Sequence, residues 1–200
     1  MLNGLKKRYL VFATCLFFCA CNGTKIKNTP KTIKTICCFG DSLIAGVGAG
    51  SDETKYHNQL KSLIGITDIT ANGKSGDTTG QALSRLNKIA EKKYDLVIVT
   101  LGGNDMLRQT DWKTTEKNIR KIFQTLIDSG SVVAYTSVVR NSQYEDICKE
   151  MGVIYIHSIL KGIKFNDDLT IDKIHPNDDG YKIVAERVAK SLKDADLFDK

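Results

Sequence analysis

The chain has 200 residues, of which 42% are hydrophobic and 26% charged, so a wholly disordered protein is excluded and one domain with a sizeable core is expected. Its formal net charge of +6 comes from 29 Lys and Arg against 23 Asp and Glu. Residues 1–20 hold three of those basic residues and no acid, which leaves 26 − 23 = +3 for the rest. That charge does not indicate a nucleic-acid partner.

The first twenty residues have the pattern of an export signal. Basic residues at 6–8 precede a mostly apolar run of twelve, Tyr9–Ala20, which is too short for a membrane span of about 20 residues. The sequence around Cys21 (FCAC) resembles a bacterial lipobox, with Phe18 where that pattern prefers Leu. We therefore predict acylation of Cys21. An ordinary signal peptide cut near Ala20 and a short uncleaved anchor are the alternatives.

These features predict how the chain is organised. We expect a signal over residues 1–20, a polar tether over 21–33, one folded domain over 34–194 and a tail over 195–200. We predict that the protein is exported and is held in the cell envelope by a lipid anchor in a bacterial membrane. If it is not acylated, it would be periplasmic or secreted. The sequence leaves the oligomeric state open.

Three cysteines remain in the predicted domain. Cys37 and Cys38 lie in an apolar run, where free Cys behaves as a small core residue, and a disulfide from Cys148 to either one is the alternative. No spacing typical of a zinc site occurs among them, and no paired-His motif occurs elsewhere. We therefore predict no metal and no cofactor.

Apolar periodicity predicts alternating strands and helices along the domain. The predicted strands are Thr35–Phe39, a weaker one over Ile66–Ala71, then Leu96–Leu101, Val132–Thr136 and Val153–Ile156. The predicted helices contain Ala82–Ala90, Ile119–Ile127 with Gly130 as C-cap, Tyr144–Met151 and Tyr181–Leu192. This order indicates an α/β fold with a central parallel sheet covered on both faces. Sites in such folds form in the loops beyond the carboxyl ends of the strands.

The loop after the first strand, Gly40-Asp41-Ser42-Leu43, places a Ser where an exposed nucleophile belongs. A plain turn, in which Asp41 and Ser42 bond local backbone, would give the same short pattern. The next two loops are Asn72–Thr79, which contains Gly76, and Leu101–Asp105, which contains Asn104. Each could also be only a strand-to-helix connection.

A fourth loop, 172–177, precedes the last helix. Pro176 disfavours helix at His175, so His175 is expected in a loop, with Asp172 close enough to accept from its imidazole. A structural His-Pro pair is the alternative.

Taken together, the four loops resemble the four sequence blocks of the GDSL, or SGNH, hydrolases, in the same order. The matching residues are Gly40-Asp41-Ser42-Leu43, Gly76, Gly102–Asp105 and Asp172-x-x-His175. The stretches around Gly76 and Asn104 are most similar to the bacterial periplasmic thioesterase/lysophospholipase (arylesterase) branch. That branch implies a three-layer, flavodoxin-like α/β/α fold and hydrolysis of esters and thioesters without a metal.

The resemblance also implies roles for single residues. Ser42 would be the nucleophile, His175 its general base and Asp172 the residue that orients His175. The Ser42 and Gly76 N–H groups and the Asn104 amide would form the oxyanion hole. Asp41 and Asp105 are expected to hold their loops in place.

Three functions follow as hypotheses. The first is a serine esterase acting on lysophospholipids, acyl thioesters or small aryl esters. The second is a carbohydrate O-acetyl esterase, favoured by the shortness of Val138–Met151, which offers few residues for an acyl groove. The third is a catalytically silent binding module on the same fold.

Overall fold

The computed structural model describes residues 25–29 and 32–198. The predicted signal, Cys21 and the first part of the predicted tether lie outside the described residues. Within the described part, no helix is long and apolar enough to cross a membrane.

Five parallel strands form the central sheet in the order β2-β1-β3-β4-β5. The strands are β1 (Thr35–Gly40), β2 (Asp68–Gly73), β3 (Leu96–Thr100), β4 (Val132–Thr136) and β5 (Ile154–Ile156). The helices are α1 (Ser42–Ala45), α2 (Tyr56–Ile64), α3 (Thr79–Ala90), α4 (Gly103–Leu107), α5 (Trp112–Asp128), α6 (Ser142–Met151) and α7 (Asp178–Asp194). This strand order is that of flavodoxin-like sheets, so the predicted fold class is confirmed.

Alternation along the strands builds two separate hydrophobic layers. In β1, Ile36 and Cys38 face the layer formed with α1, α2 and α7, whereas Cys37 and Phe39 face the layer formed with α3, α5 and α6. β3 and β4 alternate in the same way, and every residue of both strands is buried. Strands covered on both faces need apolar side chains at every position, which explains their continuous apolar runs.

Three helices lie where the sequence predicted none. The two short ones, α1 and α4, begin inside the Ser42 and Asn104 loops. α2 buries only Tyr56, Leu60 and Ile64, so its apolar stripe is too narrow to stand out from its polar neighbours. The predicted C-cap of α5 is displaced by one residue, because Ser129 is the cap and Gly130 follows it with φ of 96°.

The segment predicted as a tether packs against the domain in its described part. Ile26 contacts the hydrophobic layer of α7, and Ile33 is 4% exposed. Beyond α7, Leu197 and Phe198 contact the same layer. Cys37, Cys38 and Cys148 are buried free thiols, so the alternative of a disulfide is not realised.

Candidate active site

The turn that follows β1 holds Ser42 at the first position of α1. A Cβ at Gly40 would lie 2.2 Å from the Thr100 carbonyl oxygen, so only glycine allows β1 and β3 to approach this closely. The Asp41 N–H donates to the same carbonyl at 3.2 Å. Asp41 then caps α1 by accepting from the Leu43 N–H at 3.1 Å. These contacts fix the backbone on both sides of Ser42.

A tight turn between β5 and α7 presents His175. Thr170 and Pro176 form an antiparallel bridge, and the Ile171 N–H donates to the His175 carbonyl at 3.0 Å. Lys173 takes a positive φ of 72° at the tip of this turn. The turn therefore holds His175 outside the helix, as the sequence predicted.

Ser42, His175 and Asp172 lie in a hydrogen-bonded row. His175 Nε2 is 2.9 Å from Ser42 Oγ, and His175 Nδ1 is 2.6 Å from Asp172 Oδ2. The other oxygen of Asp172, Oδ1, accepts from the backbone N–H groups of Ile174 at 3.1 Å and His175 at 2.8 Å. Both carboxylate oxygens are thus engaged, which fixes the side chain opposite the imidazole.

Asp172 determines which imidazole nitrogen carries the proton. Hydrogen bonds from the His175 backbone and side chain lower the pKa of Asp172 to about 2, so this carboxyl is ionised throughout the neutral range. An ionised partner at Nδ1 keeps the proton of a neutral imidazole on that nitrogen. The lone pair of Nε2 then faces the Ser42 hydroxyl.

The other two predicted residues are held beside this row. Asn104, in α4, donates through Nδ2 to the Asp77 carbonyl at 3.0 Å and lies 3.5 Å from Asp41 Oδ2. Gly76 occupies the adjacent loop with φ of 79°, and its carbonyl accepts from Arg108 at 2.9 Å. In the described part of the chain, no backbone acceptor engages the N–H of Ser42 or of Gly76.

Two neighbouring cavities open at this edge of the sheet. The first, of about 100 Å³, is lined by Ser42, Asn104 and His175 together with apolar residues that include Leu43, Leu160 and Ile174. The second, of about 170 Å³, has a more polar and aromatic wall. The residues shared by both linings are Gly103, Met106 and Val138. Gly76 and Asp172 line neither cavity. Asp172 lies on the side of the His175 ring that faces away from Ser42.

Arg85 is a residue of this region that the sequence reading missed. Its guanidinium donates to Asp77 Oδ2 at 2.9 Å, to the Gly40 carbonyl at 2.5 Å and to the Asn72 carbonyl at 2.7 Å. It also stacks on Phe39, 4.5 Å from the ring centroid. The sequence signal that could have identified Arg85 is a charged residue on the apolar face of α3, between Ala82 and Ile89.

The expected loop-fixing role of Asp105 is realised. Its carboxylate accepts from the Thr79 N–H at 2.8 Å and from Thr79 Oγ1 at 2.6 Å, which ties α4 to the start of α3. Thr78 caps α3 with a capping box to Gln81. Among the described residues, no group of three or more His, Cys, Asp or Glu side chains could hold a metal ion.

Asp41 should make stability depend on pH. Burial raises its pKa from 3.8 to about 6, against the opposing effects of the Leu43 N–H and the His175 charge. Because the folded-state pKa is raised, this contribution to stability is complete below pH 3.8 and is lost as the pH rises through about 6. We expect Asp41→Asn, which can still accept from Leu43, to abolish this decline. The free energy of unfolding, measured with urea at several pH values between 3.8 and about 6, tests this expectation. Asp146→Asn, at an exposed position, should keep the wild-type decline, and an unchanged profile in Asp41→Asn would contradict the prediction.

Loss of Arg85 should leave a buried charge unpaired. The Asp77 side chain is only 2% exposed, and its other basic neighbour, Lys74, is 4.0 Å away and exposed. We expect Arg85→Leu to lower the free energy of unfolding by about 3–5 kcal/mol. Adding Asp77→Asn to Arg85→Leu removes the unpaired charge, so the double variant should recover part of the lost free energy of unfolding, as measured with urea. A double variant no more stable than Arg85→Leu would refute the charge argument.

The sequence model of the GDSL-like Lipase/Acylhydrolase family matches residues 38–183. The chain is 27% identical over 194 residues to an arylesterase from Vibrio mimicus, covering 88% of this chain and 94% of the relative. It is 26% identical over 176 residues to thioesterase 1/protease 1/lysophospholipase L1 of Escherichia coli K12, and the match covers 79% of this chain and 83% of that relative.

A solved structure shows the same fold. The psychrotrophic esterase EstA from Pseudoalteromonas sp. superposes with a TM-score of 0.72 at 22% identity, covering 81% of this chain and 98% of that one. The family match spans more than half of the chain and includes the turn of Ser42 and the loop of His175. The protein therefore belongs to the GDSL-like lipase/acylhydrolase family and is an ester hydrolase.

Proposed function

We propose that this chain is a serine esterase that cleaves esters of short acyl groups, with Ser42 as nucleophile, His175 as general base and Asp172 as the residue that orients His175. The observation that carries the proposal is the row of contacts at 2.9 Å and 2.6 Å that joins the three side chains. A free Ser hydroxyl is a weak nucleophile, and an adjacent oriented base is the usual means of activating it.

The proposed reaction has two halves. In the first, Nε2 of His175 takes the Ser42 proton while Oγ attacks the carbonyl carbon, and His175 then gives the proton to the departing alcohol or thiol. In the second, His175 takes a proton from water, whose oxygen attacks the acyl-enzyme, and the acid leaves as Ser42 is reprotonated. Asp172 stays ionised and stabilises the imidazolium in both halves.

The tetrahedral intermediates need donors for their negative oxygen. The unengaged N–H groups of Ser42 and Gly76 and the amide of Asn104 are proposed for this role. The bond of Asn104 to the Asp77 carbonyl uses one of its two N–H groups. The Nδ2 atom also lies 3.5 Å from Asp41 Oδ2, and a contact of this length is too weak to hold the second N–H against a developing oxyanion.

The size of the first cavity supports a short acyl group. An apolar cavity of about 150 Å³ holds benzene, whereas the cavity at Ser42 has about 100 Å³. A longer chain would have to extend toward the second cavity along Met106 and Val138, which line both cavities. The thioesterase/lysophospholipase relative suggests that thioesters and lysophospholipids are among the substrates to test.

Variants at the proposed site should separate the roles of its residues. We expect Ser42→Ala and His175→Ala to lower kcat for p-nitrophenyl butyrate by several orders of magnitude. Asn104→Ala removes one oxyanion donor and should cost about 10²–10³-fold in kcat. A fluorophosphonate probe, located by mass spectrometry, should label Ser42 in the wild type and lose this labelling in His175→Ala.

Matched controls are His157→Ala and Ser62→Ala, which lie outside the site and should keep wild-type rates. Full activity of Ser42→Ala would refute the serine mechanism. A folded wild type that neither reacts with the probe nor hydrolyses any ester would favour the binding-module hypothesis.

A second candidate, an O-acetyl esterase of envelope or dietary polysaccharide, is favoured by the second cavity. Its wall combines aromatic rings with hydroxyl and amide groups, which suit a sugar: Thr110, Trp112, Ser137, Asn141 and Tyr144. Trp112 and Tyr144 stand edge to face with ring centroids 5.2 Å apart. An acetyl group would occupy the first cavity while the sugar lies against this wall.

Acyl-chain length should distinguish the two candidates. We expect rates on p-nitrophenyl esters to fall several-fold from butyryl to octanoyl, because the first cavity is small. Met106→Ala shortens a side chain that lines both cavities and should raise the octanoyl rate several-fold, whereas Met106→Leu, which conserves volume, should not. A steep preference for acetyl esters, with acetate released from acetylated xylan, would favour the second candidate. An octanoyl preference in the wild type would overturn the short-acyl assignment.

We also propose that the chain is exported and acylated at Cys21, as the basic and apolar N-terminal pattern and the lipobox-like FCAC sequence suggest.

A further inference from the structure

Residues 25–29, here called the strap, are bound to the folded domain by specific contacts. The Lys27 N–H donates to the Gly152 carbonyl at 3.0 Å. Asn28, at φ of 58°, donates through Nδ2 to the carbonyls of Ile127 at 2.7 Å and Ser131 at 3.1 Å. The strap is therefore part of the domain surface and not a free linker.

Glycine at position 152 makes room for the strap. A Cβ on Gly152 would lie 2.6 Å from the Lys25 carbonyl oxygen, so a larger residue would displace the chain there. Ile26 lines a depression beside β5, together with Val153 and Tyr155. Polar and apolar contacts thus both hold the strap in place.

All of these contacts lie at the end of the sheet where the strands begin. Ser131 immediately precedes β4, and Gly152 lies two residues before β5. We call this surface the amino-end pole; it comprises the strap, Lys34 and residues 91–95, 128–131 and 152–153. Ser42, Asn104 and His175 lie at the opposite end, separated from it by strands about 17 Å long at about 3.3 Å per residue.

The strap limits how far the domain can move from an acylated Cys21. Only three residues, 22–24, lie between Cys21 and Lys25, and the four steps along the chain from Cys21 to Lys25 span at most about 14 Å when fully extended. We propose that the amino-end pole faces the anchoring membrane, so that the site opens away from it and takes its substrate from the aqueous side. This inference rests on the proposed export and acylation, and adds an orientation to them.

Charge at the amino-end pole is compatible with anionic lipid headgroups. Its charged residues are Lys25, Lys27, Lys34, Lys92 and Lys93 against Glu91, Asp95 and Asp128, and exposed Asp68 begins β2 at the same end of the sheet. Asp95 is occupied by the backbone N–H groups of Lys34 and Thr35, both at 2.9 Å. Lysines near an anionic lipid surface are attracted to it electrostatically. The occupant of this surface is thus a bilayer that contains anionic phospholipid.

Energy transfer in vesicles tests the orientation. The full chain, processed in a bacterium, is reconstituted in vesicles of phosphatidylethanolamine and phosphatidylglycerol that contain an acceptor-labelled lipid. A donor dye is placed at Lys92→Cys, on the amino-end pole, or at Lys113→Cys, at the start of α5 on the opposite end. Both positions are exposed lysines, and the native thiols of the described domain are buried. We expect several-fold more efficient transfer from position 92.

A flexible Gly-Ser linker between Gly23 and Thr24 should remove the difference between the two positions. Mass spectrometry first establishes acylation at Cys21; its absence would overturn the proposal at that step. Equal transfer from both positions, or stronger transfer from position 113, in the acylated protein would overturn the orientation.

This readout does not depend on catalysis. Ser42→Ala should give the same energy transfer as the wild type, so failure of the proposed reaction leaves the orientation test intact. In the active enzyme, the linker should raise hydrolysis of a butyryl ester of a long-chain alcohol, embedded in the same vesicles, several-fold and leave a soluble butyryl ester unaffected. A linker without effect on the embedded ester, in an enzyme active on the soluble one, would contradict the proposed access from the aqueous side.

Discussion

The three-way contact of Arg85 holds the loops of the site in register. Its planar guanidinium reaches the carbonyl of Gly40 next to the nucleophile turn, the end of β2 at Asn72 and the carboxylate of Asp77. The backbone of Asp77 in turn orients the Asn104 amide. Because one rigid group satisfies acceptors from three segments, a displacement of any one would leave buried polar groups without partners. Arg85 therefore positions the loops of the site although its side chain does not line the cavity at Ser42.

The parallel sheet supplies the framework for that contact. Apolar residues on both faces of β1, β3 and β4 place the strands between two helical layers, and their carboxyl ends then meet along one edge. The close approach of Gly40 to Thr100 brings the Ser42 turn beside the loop of Asn104. Family membership gives ester hydrolysis, and the cavities at this edge are the basis for the proposed choice of acyl group. At the opposite end of the strands, the strap is bound to the domain and forms part of the surface that we propose to face the membrane.

Much of the fold could be predicted because its strongest signals are local. β3 and β4 are continuous apolar runs, so each was found within one residue of its bounds. α5 repeats its apolar residues at helical spacing over Ile119–Ile127, so the helix and its end were found, but it begins seven residues before that stretch, at Trp112. The helices that escaped prediction have little periodicity to detect: α1 has four residues and α4 five. The strap escaped because its sequence is polar, and its binding depends on carbonyls of Ile127, Ser131 and Gly152, which are distant in the chain.

By itself, the sequence determined the order of strands and helices, the family and the positions of Ser42, Asp172 and His175 as candidates, because these depend on spacing and residue type. Only the tertiary structure decided which atoms meet: that Nε2 of His175 faces Ser42, that Arg85 joins three loops and that the strap lies opposite the site. The physical reason is that a hydrogen bond requires its two atoms within about 3 Å. For residues distant in the sequence, such as Ser42 and His175 or Gly40 and Arg85, only the packing of the whole domain sets such a distance.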